Sequence, residues 1–186
     1  MTRINIIEPA EATGRLKEIY DIILRERGKL ADIHKIQSMH PESIMKHIDL
    51  YLEIMFSKSP LSRDEREMMA VIVSKSNGCD YCVQHHVQAL QHYWKKHEKI
   101  QNLIRDYNSA NLSASEKLLC EFAKHLTLFP GEHEKTDYTI KLKNAGFTDE
   151  AILDATLVIA YFNFVNRIAL SLGLETANNE VRGYHY

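Results

Sequence analysis

Apolar residues recur at steps of three and four along nearly the whole chain, and this spacing is typical of amphipathic α-helices. The first such stripe comprises Ala12, Leu16, Ile19, Tyr20, Ile23 and Leu24. No stretch alternates with the period of two that a half-buried strand requires. Only 4 Pro and 7 Gly occur among 186 residues, which favours long regular elements over frequent turns. We therefore predict an all-α fold built as a helical bundle.

Local signals predict where several helices begin and end. Pro41 is suited to a first helical turn. The segments "SRDE" from Ser62 and "SASE" from Ser113 have the pattern of capping boxes. Gly78 is suited to the left-handed conformation that ends a helix, and Thr148 is a candidate N-cap.

The chain contains no internal repeat and no Pro- or Gly-rich linker, so we predict a single domain over residues 1–186. It divides into N-terminal helices (1–60), a helix pair (61–95) and C-terminal helices (96–186). The apolar segment 151–172 contains Asp154, Asn163, Asn166 and Arg167, which are unfavourable in lipid. We expect a buried helix there, at the centre of a bundle or at a subunit interface, and no membrane association.

Charge and leader signals exclude some function classes. Lys plus Arg is 23 and Asp plus Glu is 25, giving a net charge of −2. This balance offers no basic surface for nucleic acid or anionic lipid. The first 22 residues lack a long apolar run and a cleavage signal, so we expect a cytoplasmic protein.

The chain has three cysteines, and an odd number argues against a disulfide framework. Cys120 lies in an apolar helical pattern, so we expect it to be a small buried residue.

The segment most suggestive of chemistry is "SNGCDYCVQHH", in which Cys79 and Cys82 stand three residues apart. Both fall where a helix begins, and unpaired backbone N–H groups and the helix dipole stabilise a thiolate there. His86 follows Cys82 by four residues, so the two side chains share a helix face and the imidazole can accept the thiol proton. A disulfide between Cys79 and Cys82 is within bonding reach.

Glu67 supplies a carboxylate on the preceding helix. The turn at Asn77 and Gly78 predicts that this helix packs antiparallel to the one that begins at the cysteines. Glu67 lies at the start of an apolar run, where a carboxylate requires a partner. The spacing permits a Glu67–His86 contact and does not fix it.

A Cys-x-x-Cys pair is compatible with redox chemistry, with zinc binding or with simple packing. Structural zinc takes four ligands, and Cys79, Cys82, His85 and His86 come from fewer than three helical turns, which is poor geometry for a tetrahedron. We expect no metal and no cofactor. We interpret His85 as a surface or interface residue, Tyr81 as a packing aromatic, and the other histidines as solvated or packed.

Glu67, the Cys79–Cys82 pair and His86 together resemble, in residue type and spacing, the signature of the alkylhydroperoxidase D family within the carboxymuconolactone decarboxylase-like superfamily. The phrase "LSRDEREMMAVIVSKSNGCDYCVQHH" and the tail "AYFNFVNRIALSLGLE" resemble its branch of peroxidase-related enzymes. The resemblance implies an alkylhydroperoxidase D-type helical bundle. It implies that Cys82 is the peroxidatic thiol, Cys79 the resolving thiol, and Glu67 and His86 the proton relay. Tyr81 stands where the best-studied member has histidine, so the relay or the substrate differs.

We therefore expect an antioxidant thiol peroxidase that acts on hydrogen peroxide or organic hydroperoxides. Its partners would be an external dithiol reductant, such as the lipoyl-bearing protein of the resembled family, and further copies of itself in a dimer, trimer or hexamer. Alternatives are a dithiol–disulfide oxidoreductase without a peroxide substrate, a redox- or zinc-sensing module, and a decarboxylase of the carboxymuconolactone type. The helix dipole favours attack by Cys79, but the nearby base favours Cys82, and we assign attack to Cys82.

Overall fold

The computed structural model describes residues 2–132 and 135–176, which form helices and no strand. In chain order the helices are α1 (Gly14–Arg27), α2 (Asp32–Lys35), α3 (Pro41–Phe56), α4 (Arg63–Ser76), α5 (Asp80–Tyr93), α6 (His97–Arg105), α7 (Ala114–Leu128), α8 (Tyr138–Asn144) and α9 (Asp149–Leu172). A 3₁₀ turn at Tyr107–Ser109 joins α6 to α7. The predicted all-α class is confirmed.

The helix ends follow the chemistry of their capping residues. The Ser62 hydroxyl accepts from the Glu65 N–H, and the Glu65 carboxylate accepts from the Ser62 N–H at 2.8 Å. Ser113 forms the same box at the start of α7. Gly78 has φ of 67°, a left-handed conformation that a side chain disfavours. That conformation lets the chain turn within a few residues from α4 into α5.

Helix α4 lies at the centre of the bundle, packed against α5, α7 and α9. Every residue from Arg66 to Ser74 is buried. Met68 and Met69 are fully enclosed, and burying such a side chain contributes about 1.5–3 kcal/mol. The Arg66 guanidinium donates to the carbonyls of Ile54 and Ser57, so a buried cation binds the C-terminal end of α3.

Helices α1 and α3 pack around a smaller apolar cluster of their own. It comprises Ala12, Leu16, Ile19, Tyr20, Ile23, Leu30, Ile44 and Ile48. Helix α3 also packs against α9, and the His47 ring lies 5.6 Å from the Tyr161 ring, centroid to centroid. The N-terminal helices are thereby placed over one side of the α4, α5 and α9 core.

Helix α9 is the one described helix that is long and apolar enough to cross a membrane by length and composition. It nevertheless packs against α2, α3, α4, α5, α7 and α8. Its buried face includes Asn166, whose amide is hydrogen-bonded inside the bundle. The opposite face leaves Leu153, Leu157 and Phe164 exposed. These features are those of a bundle helix with one uncovered side.

Candidate active site

Glu67 lies in the second turn of α4, and its side chain is completely buried. Its Oε2 accepts a hydrogen bond from Nδ1 of His86 at 2.7 Å, and its Oε1 accepts from Nε of Arg63 at 3.0 Å. Burial acts to raise the pKa of Glu67, but His86 and Arg63 together hold that pKa below its ordinary value. The carboxylate is therefore ionised at neutral pH and can only accept hydrogen bonds.

The ionised Glu67 fixes the tautomer of His86. Because the carboxylate is an acceptor, Nδ1 of His86 carries a hydrogen, and whenever the ring is neutral its Nε2 is free to accept a proton. The ring also packs edge-on against Phe162, with centroids 4.3 Å apart. The contact that the sequence permitted between α4 and α5 is present, and it orients an imidazole four residues after Cys82.

Cys79 is the N-cap residue of α5, and Cys82 lies in its first turn. Both thiols are buried and reduced, and their side chains hydrogen-bond to each other. This bond from Cys82 lowers the pKa of Cys79, outweighing burial. The same bond, together with burial, raises the pKa of Cys82 well above its ordinary value. Cys79 is therefore the more acidic thiol of the reduced pair.

A cavity of about 100 Å³ lies beside the cysteines. Helix α5 contributes Tyr81, Cys82, His85 and His86 to its wall. Neither Cys79 nor Glu67 is among the described residues that line it. Of Cys79 and Cys82, it is thus Cys82 that a molecule in the cavity would contact.

The opposite wall of the cavity comes from the N-terminal helices. Arg27 of α1, His34 of α2, and His47 and Tyr51 of α3 line it. The rings of His34 and His47 lie 5.4 Å apart, centroid to centroid. Our interpretation of these histidines as scattered solvated or packed residues missed this grouping. The spacing of His34 and His47 in the sequence forms no motif, because the two side chains come from separate helices, α2 and α3.

Asn166 is a further site residue that sequence reasoning missed. It is fully buried on α9, and its side chain forms a hydrogen bond that acts to lower the pKa of Cys82. Its Nδ2 donates to Ser74 Oγ at 3.2 Å, and its Oδ1 accepts from Asn77 Nδ2 at 2.9 Å. A polar residue inside an otherwise apolar segment was the signal available from the sequence. This network fixes an amide beside the cysteines.

Comparison with known proteins finds relatives that share part of this chain. Residues 42–125 match the carboxymuconolactone decarboxylase family. The matched region includes Glu67, Cys79, Cys82 and His86. The chain is also 26% identical over 139 residues to the uncharacterized protein YdfG of Bacillus subtilis (strain 168), covering 74% of this chain and 92% of that protein. The family resemblance stated from the sequence is confirmed.

Solved structures extend the likeness to the N-terminal helices. An uncharacterized peroxidase-related protein from Silicibacter sp. TM1040 superposes with a TM-score of 0.85 at 26% identity, covering 97% of this chain and 94% of that chain. An uncharacterized peroxidase-related protein from Ralstonia eutropha JMP134, described as an alkylhydroperoxidase AhpD core, gives 0.84 at 23% identity, with the same coverage. The helical bundle is therefore of the alkylhydroperoxidase D-like type along nearly its whole length.

Other residues of the motif have structural roles that the sequence only partly indicated. The Tyr81 hydroxyl accepts from the Ile33 N–H at 3.1 Å, and its ring packs against His85 with centroids 4.3 Å apart. His85, interpreted from the sequence as a surface or interface residue, is partly buried and lines the cavity. Cys120 is completely buried, as predicted, and burial raises the pKa of its thiol.

The zinc alternative requires several ligands that point at one place. Across residues 2–132 and 135–176, no group of three or more His, Cys, Asp or Glu side chains is arranged to hold a metal ion. The side chains around Cys79 and Cys82 are instead hydrogen-bonded to one another. The two thiols are hydrogen-bonded to each other, and the His86 ring is hydrogen-bonded to Glu67.

Proposed function

We propose that the chain is a thiol-dependent peroxidase that reduces hydrogen peroxide or small organic hydroperoxides through Cys79 and Cys82. The observation that carries the proposal is that Cys82 and His86 line one cavity while buried, ionised Glu67 fixes the His86 ring. A peroxidatic thiol needs a proton acceptor, a means of becoming a thiolate and space for the peroxide. Cys82 borders the cavity and stands one helical turn before His86, which supports its assignment as the peroxidatic thiol.

In the first step, His86 Nε2 takes the Cys82 proton and the thiolate attacks the distal oxygen of the hydroperoxide. An S–O bond forms and the O–O bond breaks. The leaving alkoxide, or hydroxide from hydrogen peroxide, receives the proton held on His86 and departs as an alcohol or water. Cys82 is oxidised to a sulfenic acid and the peroxide is reduced by two electrons.

In the second step, the Cys79 sulfur attacks the sulfenic sulfur of Cys82. A disulfide forms and water leaves, with the Cys79 proton and the sulfenic hydroxyl supplying its atoms. An external dithiol then attacks the disulfide, becomes oxidised to its own disulfide and returns both cysteines to thiols. A lipoyl-bearing protein has the dithiol chemistry that this step requires.

The assignment of attack to Cys82 depends on access rather than on acidity. The mutual hydrogen bond lowers the pKa of Cys79 and raises that of Cys82, so acidity favours Cys79. Cys82, however, borders the cavity and stands one helical turn before His86. A peroxide that enters the cavity meets Cys82, and removal of its proton by His86 releases the thiolate there.

The same two thiols also fit a dithiol–disulfide oxidoreductase that has no peroxide substrate. This second candidate rests on the hydrogen bond between Cys79 and Cys82, which places the sulfurs close enough for disulfide exchange without any oxidant in the cavity. Peroxide stoichiometry separates it from a peroxidase. The same measurement, together with metal analysis, also separates a peroxidase from a redox- or zinc-sensing module and from a decarboxylase of the carboxymuconolactone type.

The test is a single-turnover reaction of the fully reduced protein with hydrogen peroxide. Each chain should consume one equivalent and lose two titratable thiols. Mass spectrometry should find the peptide containing Cys79 and Cys82 lighter by two hydrogens. Cys82→Ser should abolish consumption, and Cys79→Ser should react once, leaving a sulfenic acid on Cys82 that dimedone labels. Cys120→Ser is the matched control and should behave as wild type.

Three outcomes would contradict the proposal. Loss of thiols to an oxidised dithiol but not to peroxide would favour the oxidoreductase without a peroxide substrate. One zinc per chain in the purified protein, with both thiols blocked, would favour the sensor. Dimedone labelling of Cys79 in Cys82→Ser, with an inert Cys79→Ser, would reverse the roles of the two sulfurs.

A further inference from the structure

Arg27 is a cation of the cavity wall that the peroxidase chemistry does not use. It lies in the last turn of α1, and its guanidinium carbon stands 5.2 Å from the ring centre of Tyr51 and 5.6 Å from that of Phe56. Within the described ranges, no carboxylate forms an ion pair with it. Guanidinium groups bind carboxylates and phenolates strongly through paired N–H donors.

Arg27 supplies a permanent positive charge to the cavity wall. Among the described lining residues there is this one guanidinium and no Asp or Glu. Burial lowers the pKa of His47 to about 4, and burial likewise lowers the pKa of His34 well below its ordinary value, so both imidazoles are neutral at pH 7. Glu67 lies behind the wall, where Arg63 and His86 already bind it.

Aromatic rings connect Arg27 to the reactive end of the cavity. Centroid distances are 6.0 Å from Tyr51 to Tyr161, 5.0 Å from Tyr161 to Phe162 and 4.3 Å from Phe162 to His86. Aromatic side chains at these separations offer flat apolar faces against which another ring packs favourably. The wall therefore has a cation at one end, rings along its length and His86 with Cys82 at the other.

The size of the cavity limits its occupant. Its volume of about 100 Å³ is of the same order as the roughly 150 Å³ of a dry protein cavity that binds benzene, so the enclosed part holds no more than one ring. The Arg27 side chain is only partly buried, so a ligand's charged group can remain at the mouth. One ring with a short substituent fits this description, and a long acyl chain does not.

We propose that the cavity binds single-ring aromatic anions, with the carboxylate or phenolate on Arg27, the ring against Tyr51 and Tyr161, and a hydroperoxide substituent beside Cys82. The identity of the reacting group rests on the proposed peroxidase function. The anion site itself rests on Arg27 and the rings, and it is tested without turnover.

The binding test uses benzoate as the anionic probe and benzyl alcohol as its uncharged counterpart, each titrated calorimetrically into the reduced protein. Arg27→Gln should weaken benzoate binding by about 10- to 100-fold, the usual loss of a charge-assisted hydrogen bond. It should leave benzyl alcohol unaffected, and Arg27→Lys should retain part of the affinity. Arg25→Gln is the matched control, because Arg25 lies in the same turn, is exposed and pairs with Glu26.

The activity test compares cumene hydroperoxide with its para-carboxylate. Arg27→Gln should raise KM for the carboxylate relative to KM for cumene hydroperoxide by a similar factor, and Arg25→Gln should leave the consumption of both hydroperoxides and of hydrogen peroxide unchanged. If no hydroperoxide reacts, the proposed function fails while benzoate binding still decides the anion site. Equal benzoate affinity in wild type and Arg27→Gln, or benzyl alcohol bound as tightly as benzoate, overturns the proposal.

Discussion

At the scale of single residues, the protonation state of the site depends on Glu67. A carboxylate with no exposed surface would ordinarily become neutral. Here the hydrogen bonds from His86 and Arg63 keep it charged. Since its pKa in the folded protein is lowered, Glu67 contributes stability above its ordinary pKa, and that contribution is lost as pH falls through the lower folded value. The residue therefore couples the stability of the fold to the orientation of the His86 ring.

Glu67→Gln should impair both properties. The amide leaves Arg63 buried without its carboxylate, and removal of one partner of a buried pair costs about 3–5 kcal/mol. It also no longer imposes the His86 tautomer, so the reaction of Cys82 with peroxide should slow by about 10- to 100-fold. Urea unfolding and stopped-flow peroxide consumption measure the two effects.

The matched control for Glu67 lies on the same helix. Glu65→Gln keeps the capping box, which accepts Gln in place of Glu, and should change neither quantity appreciably. If Glu67→Gln proved as stable and as reactive as wild type, Glu67 would contribute neither to stability nor to the reaction of Cys82. The His86 ring would then need another orienting group.

At the scale of helices, local chemistry made much of the fold predictable. Ser62 and Ser113 begin their helices with the capping boxes that the sequence showed, and Gly78 has the left-handed conformation assigned to it. The sequence permitted a Glu67–His86 contact without fixing it, because a turn of a few residues leaves α4 and α5 few ways to pack. Contacts within a helix or across a tight turn are encoded locally.

The N-terminal half of the cavity could not be predicted in this way. Arg27, His34 and His47 lie on three different helices, and their meeting depends on how the α1–α3 cluster packs on α9. The four-residue helix that contains His34 is too short to show a periodic pattern. Cavities formed by tertiary packing leave no spacing signal in a single sequence.

The packing of α3 over the cavity makes the fold sensitive to acid through His47. Burial lowers its pKa to about 4. The unfolded chain therefore takes up this proton near pH 6.5, and the folded chain takes it up only near pH 4. Stability is present above pH 6.5 and is lost as pH falls across that window, by on the order of 3 kcal/mol. His34, whose ring faces His47, acts in the same direction.

His47→Gln should flatten the dependence of unfolding free energy on pH between about 6.5 and 4. The readout is the slope of urea midpoints against pH, so a lower stability at neutral pH would not obscure it. His97→Gln, at an exposed position at the start of α6, should leave the slope unchanged. A slope in His47→Gln equal to that of wild type would mean that His47 takes up its proton at the same pH in the folded and unfolded chains.

At the scale of the whole molecule, one surface lacks a partner within the chain. Leu153, Leu157 and Phe164 on α9 are 57%, 42% and 48% exposed. They lie four and seven residues apart, which puts them on one helix face, and we call this face the α9 stripe. Phe164 lies 5.7 Å from the His47 ring and 6.5 Å from the Tyr161 ring, centroid to centroid. The α9 stripe is therefore continuous with the cavity wall, and contiguous exposed apolar residues of this kind mark interaction surfaces.

We predict that a second copy of the chain covers the α9 stripe, so that the protein is a homo-oligomer. The double substitution of Leu153→Glu with Leu157→Glu places buried like charges in such an interface, and it should convert the assembly to monomers at micromolar concentration, as measured by light scattering after size exclusion. Met39→Glu is the matched control, because Met39 is 55% exposed but lies before α3, away from the stripe. The monomers should also react more slowly with peroxide, because losing the partner uncovers Phe164 beside the cavity. A wild-type protein that is already monomeric at this concentration, or a double variant that keeps its mass, would show that something other than a second copy covers α9.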